Sequence, residues 1–123
     1  MYELTIDGNV YQFNFGMGFM REINKTVVQT VEGVKRNAGF QYAVADVLDG
    51  NMEGLVNILD VANKGQKPRV TRDLLDSYID SEDTDIDALF ADVLDFFKRG
   101  NATRKVTTAV LEMVEAEKAK RDQ

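Results

Sequence analysis

The stretch Thr5-Ile-Asp-Gly-Asn-Val-Tyr-Gln-Phe-Asn-Phe-Gly-Met-Gly-Phe-Met-Arg-Glu-Ile-Asn24 constrains the fold more than any other part of the chain. Asp7-Gly8, followed by Asn9, stands between two runs in which apolar and polar residues alternate, and residues of this kind accept the positive φ angles of a tight hairpin. Two paired strands are therefore predicted. On the second strand Tyr11, Phe13 and Phe15 point one way while Gln12 and Asn14 point the other, so three aromatic rings line one face. An isolated hairpin is marginal in water, and that face needs a cover. From Gly18 onward Phe19, Met20, Ile23, Val27 and Val31 recur at helical spacing, which makes the cover helical.

The 123 residues favour a single domain, 1–123, with the hairpin at 2–15 and a helical part at 17–120. No apolar run approaches the roughly 20 residues of a membrane span, and the first residues lack a signal-peptide layout. With no cysteine and no histidine, the chain offers no disulfide, no thiolate metal site and none of the commonest general base. The net charge of −6 argues against nucleic acid, whose affinity comes from clustered Lys and Arg. An acidic balance suits solubility and pairing with a basic protein.

Helical spacing continues along the chain. The stripe predicts helix from Met17 to about Val34, although Thr26, Val27, Val28, Thr30 and Val31 are β-branched and leave a partly extended alternative for Val27–Val34. On the helical reading Lys35 and Arg36 suit its last turn. Phe40–Leu48 forms a second helix ended by Asp49-Gly50-Asn51, and Met52, Leu55, Val56, Leu59 and Ala62 stripe a third, ended by Asn63-Lys-Gly65. Thr71 is an N-cap for a helix with Leu74, Leu75, Tyr78 and Ile79 inward. The acidic connector Asp80–Asp87 leads to the cleanest amphipathic helix, with Ile86, Leu89, Phe90, Val93, Leu94 and Phe97. A last helix, from about Thr103 to Ala119, carries Val106, Val110, Met113 and Val114. The fold class is α+β, mostly α: an N-terminal β-hairpin packed against five or six short helices.

Candidate sites are few. Closely spaced carboxylates suggest calcium, yet in Asp83-Thr-Asp85-Ile-Asp87 an alanine, Ala88, replaces the turn glycine and Leu94 replaces the closing glutamate. The connector reads instead as a solvated capping turn, with a weak cation site or a docking patch for a basic partner, through Asp80, Glu82, Asp83 and Asp85, as the other readings. Asp76-Ser77-Tyr78 lies inside a helix, unlike a prosthetic-group serine at a helix start. Phe15-Gly-Met-Gly-Phe19 lacks the lysine of a phosphate loop and reads as a compact strand-to-helix joint. Phe40 and Tyr42, two residues apart on a helix, cannot both face one core. Either one of them is exposed and open to a partner, or both flank a wide buried stripe. No catalytic residue, cofactor or metal ion is indicated.

Taken in order, the Leu4–Asn24 hairpin and helix, Val31-Glu-Gly-Val-Lys35, Pro68-Arg-Val-Thr71, Asp76-Ser-Tyr-Ile-Asp80, Ile86-Asp-Ala-Leu-Phe90 and Lys98-Arg-Gly-Asn-Ala-Thr103 cover nearly the whole chain. This arrangement resembles the tail assembly chaperones of phages and prophages with long, non-contractile tails, especially those of Gram-positive hosts. The resemblance implies a non-enzymatic protein of the host cytoplasm, absent from the mature virion. Such a protein coats the tape measure protein while tail tube subunits polymerise around it, and it self-associates. A frameshifted longer form recruits the tail tube protein. The residues fit that logic, since an acidic protein with spare apolar surface can keep a long helical polypeptide dispersed through many weak contacts. The rival readings are a general acidic helical adaptor and a carboxylate enzyme with magnesium, which would need acids converging in a pocket.

Overall fold

The structure, a computed structural model, describes residues 1–121; the last two residues of the expected 1–123 domain lie outside the described residues. Strands β1 (Tyr2–Ile6) and β2 (Asn9–Phe13) form the expected antiparallel hairpin, with Leu4 opposite Tyr11 and Tyr2 opposite Phe13. Both turn residues have positive φ, 51° at Asp7 and 80° at Gly8, the type I′ geometry that follows the twist of the strands. Leu4, Ile6, Tyr11, Phe13 and Phe15 are all buried. The outer edge of β2 is closed by helix α3 (Met52–Asn63): the Asn14 amide donates to Ala62 O at 2.9 Å, and Asn63 Nδ2 donates to Gln12 O at 2.9 Å.

Helix α1 (Met17–Asn24) buries Phe19, Met20 and Ile23, as its stripe requires, and then stops ten residues before the predicted end at Val34. This corrects the helical reading of Val27–Val34. The Thr26 hydroxyl donates to Ile23 O at 2.6 Å and its amide to the same carbonyl at 3.1 Å, which turns the chain off the helix axis. Beyond it the β-branched residues form a second antiparallel hairpin, β3 (Val28–Val31) and β4 (Val34–Asn37). Its two-residue turn, Glu32 at φ 51° and Gly33 at φ 79°, repeats the geometry of the first. Lys35 and Arg36 therefore lie on a strand and face no helix terminus. Two forces favour the hairpin: β-branched side chains fit a pleated strand better than a helix, and a continued helix would project Val27 and Val31 with no element to cover them.

The chain returns from this excursion to the place where it left. Gly39 packs so closely on α1 that a Cβ there would collide with Ile23 O, and the Phe40 amide donates to Asn24 Oδ1 at 3.0 Å. Helix α2 (Gly39–Asp49) then buries Phe40, Ala43, Val44 and Val47 and ends at Gly50 in the left-handed conformation. Asn51 caps α3 by accepting the Gly54 amide at 2.9 Å. The α3 stripe is buried as expected except for Met52, which is exposed.

Asn63, at the end of α3, is fully buried and satisfied on both sides. Its Oδ1 accepts from the Val70 amide at 2.6 Å and from Arg69 Nη1 at 2.9 Å, while Nδ2 donates to Gln12 O. One side chain thus joins the first hairpin, α3 and the following loop. Thr71 caps α4 (Arg72–Asp80) and Asp85 caps α5 (Ile86–Arg99), accepting the amides of Leu74 at 3.2 Å and Ala88 at 3.0 Å. In α6 (Arg104–Arg121) only Thr107 is buried; Val106, Val110 and Val114 are half-buried, and Met113, predicted on the same stripe, is exposed.

One apolar cluster joins the first hairpin to α1, α2, α3, α4 and α5. At its centre stand Phe15, Phe19, Phe40 and Phe97, with Phe40 and Phe97 4.9 Å apart edge to face and Phe15 and Phe97 5.4 Å apart in the same manner. Such arrangements add about 0.5–1.5 kcal/mol per pair beyond the area buried. The fold is α+β and mostly α, with six helices among the described residues and the N-terminal hairpin packed against them.

Candidate protein-binding surface

Of the two aromatic candidates on α2, Phe40 is enclosed in the core between Phe19 and Phe97, and Tyr42 is the exposed one, at 46%. The Tyr42 hydroxyl accepts from Gln29 Nε2 of β3 at 2.8 Å, so the second hairpin leans toward α2 on that side. Spacing alone showed that the two rings diverge. Which ring goes inward depends on where Phe19 and Phe97 stand, and that is a property of the assembled helices.

Asp80, Glu82, Asp83 and Asp85 are all exposed, on or beside the α4–α5 connector. Local bonds shape this turn: the Thr84 hydroxyl donates to Tyr78 O, and the Asp83 amide donates to Ser81 Oγ at 3.3 Å. Asp85 spends one oxygen on its cap. Among the described residues, none of these acids forms an ion pair, and no three acids gather where they could hold a metal ion. The connector and Tyr42 line different hollows. Asp83 and Asp85 share theirs with Thr5, Asp7 and Ser77, whereas Tyr42 borders one floored by Thr26, Val27, Gly39 and Asp46.

A concavity of about 570 Å³, open to solvent, lies between Phe15–Met17 and the α5–α6 joint. Phe13, Phe15 and Phe96 contribute to its lining, and Arg99 is its one charged side chain among the described residues. That guanidinium lies 4.8 Å from the Phe96 ring centroid and is held by Asp95 at 2.8 Å. Two titrating groups elsewhere depart from their ordinary behaviour. Burial, then the nearby Asp92 carboxylate, holds the Tyr2 hydroxyl protonated far beyond the usual range, and burial followed by Asp49 raises Asp46. Tyr2 donates to Asp92 at 3.2 Å, and Asp46 accepts from Asn51 Nδ2 at 3.4 Å.

The sequence reading missed the second hairpin, and it carries the largest group of exposed aliphatic side chains. Val28, Val31 and Val34 are 56%, 53% and 54% exposed, and no residue of either strand is buried. The signal available was Glu32-Gly33 directly after the β-branched run Thr26–Val31. Together with Tyr42 these valines give an acidic protein an exposed apolar projection, with an exposed carboxylate-rich turn elsewhere on its surface.

No curated protein and no solved structure matches the chain. A family model described as phage tail assembly chaperone protein, TAC, matches residues 3–112, from the first hairpin into α6. A match of that extent covers nearly every element described above, and the chain belongs to the phage tail assembly chaperones.

Proposed function

We propose that this chaperone binds the tape measure protein of a long-tailed phage or prophage of a Gram-positive host and keeps it dispersed in the host cytoplasm until tail tube subunits replace it. Family membership carries the reading. It is supported by exposed Val28, Val31, Val34 and Tyr42 on a chain of net charge −6, a combination that covers apolar helix while staying in solution. Tyr42 makes apolar contact, and Asp80, Glu82, Asp83 and Asp85 set solubility and orientation. Phe40 anchors in the core the helix from which Tyr42 projects. The protein acts by binding, with no bond made or broken, and it leaves before the virion is complete. Self-association lets many weak contacts add along one long polypeptide. A frameshifted longer form recruits the tail tube protein.

Co-expression with the tape measure protein of the same phage tests this. The expected result is a soluble complex recovered by pulldown, with recovery reduced by Val31→Asp together with Val34→Asp. A tape measure protein that stays insoluble and uncomplexed beside well-folded chaperone overturns it.

A further inference from the structure

The second hairpin has two open edges, and they are not equivalent. Its two-residue turn makes Val31–Val34 a hydrogen-bonded pair, and the Ala38 amide donates to Val27 O at 2.8 Å, so the bonded pairs of the ladder are Val31–Val34, Gln29–Arg36 and Val27–Ala38. The backbone groups of Val28 and Thr30 therefore point outward on the β3 side, and those of Lys35 and Asn37 on the β4 side. β3 reads Val28-Gln-Thr-Val31, with no charge and no proline. β4 carries Lys35 and Arg36, the residues that natural sheets place on edges to keep other chains away.

We propose that the free edge of β3 pairs antiparallel with β3 of a second copy, making a four-stranded sheet across a two-fold axis. It gives a surface to the self-association in the reading above and rests on that part of it alone. Because only Val28 and Thr30 present outward groups, the register is fixed: Val28 lies opposite Thr30 of the second copy, with Gln29 opposite its counterpart on the axis. Two bonded pairs, about four N–H···O bonds, close the seam. On one face Val28 meets a threonine; on the other Val31 comes opposite Val27 of the second copy, and Val34 extends the apolar strip.

Charge selects this edge over the other. The same construction on β4 places Arg36 directly opposite Arg36 of the second copy, a destabilising cross-strand pair. In the β3 arrangement the two β4 strands are outermost, about 14 Å apart from three strand spacings, beyond the screening length of about 8 Å in physiological salt. A solitary two-stranded hairpin with no buried residue is marginal, and four strands relieve that.

Sedimentation of the purified full chain over a wide concentration range, without any tape measure protein, tests the pairing. Wild type is expected to form dimers. Thr30→Pro removes an outward N–H and leaves the bonds to β4 in place; it should weaken the dimer by at least about tenfold. Lys35→Pro does the same on the β4 edge and should leave the dimer intact. Gln29→Glu, whose carboxylate can pair with Arg36 in its own hairpin, should weaken the dimer at neutral pH and regain it in acid. Hydrogen exchange gives a reading free of substitutions: the Val28 and Thr30 amides become protected as concentration rises, while Lys35 and Asn37 do not. A wild-type monomer at all concentrations overturns both the pairing and the self-association. A dimer indifferent to Thr30→Pro and Gln29→Glu, or equally sensitive to Lys35→Pro, overturns the pairing alone. Protection of Val28 and Thr30 only after tape measure protein is added overturns it in favour of that partner. Failure of the pulldown, with the dimer intact, counts against tape measure binding only.

Discussion

The two hairpins share a turn type and nearly a length, yet they stand at opposite ends of the range of burial in this molecule. β1–β2 sinks Leu4, Ile6, Tyr11 and Phe13 into the core and hands its outer edge to α3. β3–β4 buries nothing. The turn chemistry is the same in both, so it does not decide the outcome. What differs is the alternating face: aromatic and long aliphatic side chains in the first, valine, threonine and charge in the second. Local residues make a hairpin, and the size of its apolar face decides whether the protein absorbs it into the core or leaves it exposed.

The sharpest way to break the comparison is to remove the fully buried ring of the first hairpin. Phe13→Ala is expected to cost about 3–5 kcal/mol of unfolding free energy in urea titrations, and a loss below 1 kcal/mol would make the two hairpins alike. Next is the polar fastening. Asn63→Ala leaves the Val70 amide and Gln12 carbonyl without their buried partner and should cost about 2–3 kcal/mol by the same measurement, with hydrogen exchange accelerating at β2 before β4. Gly39→Ala pushes a methyl group into Ile23 O at the base of the second hairpin; overpacking of this kind costs about 1–3 kcal/mol, and spectral shifts should centre on Asn24, Thr26 and Phe40.

Smaller effects are expected under and on the second hairpin. Asp46 lines the hollow beneath it and titrates above an ordinary aspartate, so the folded state holds that proton more tightly than the unfolded chain. Its contribution to stability is complete below the unfolded value of about 3.9 and is lost as pH rises through the higher folded value. Asp46→Asn should flatten the stability profile in that window, and an unchanged profile would place the effect elsewhere. Smallest of all, Val31→Ala should leave monomer stability within about 0.5 kcal/mol of wild type.

How legible each region was in the sequence follows the same division. The first hairpin, the cap at Thr71 and the stop at Gly50 rest on residues within a few positions of one another and were predicted where they occur, while the acidic connector was predicted to cap α5 without singling out Asp85. The second hairpin was hidden because Ile23, Val27 and Val31 also fit a helical stripe; the β-branched residues left an extended alternative open, and the absence of anything to cover the stripe completes the case against the helix. Asn63 reads locally as a helix stop. Its place as a buried fastener comes from Gln12 and Val70, which no spacing connects. Among the candidate contacts, the exposed acids followed from composition, while the inward turn of Phe40 and the outward turn of Tyr42 had to wait for the assembled core.

The meeting of Gly39 with Ile23, and of Phe40 with Asn24, means that the chain departs from the helical body and rejoins it at a single doorway. Everything between is an appendage whose length and outer residues can drift without rewriting the rooms behind it. The house itself stays the same.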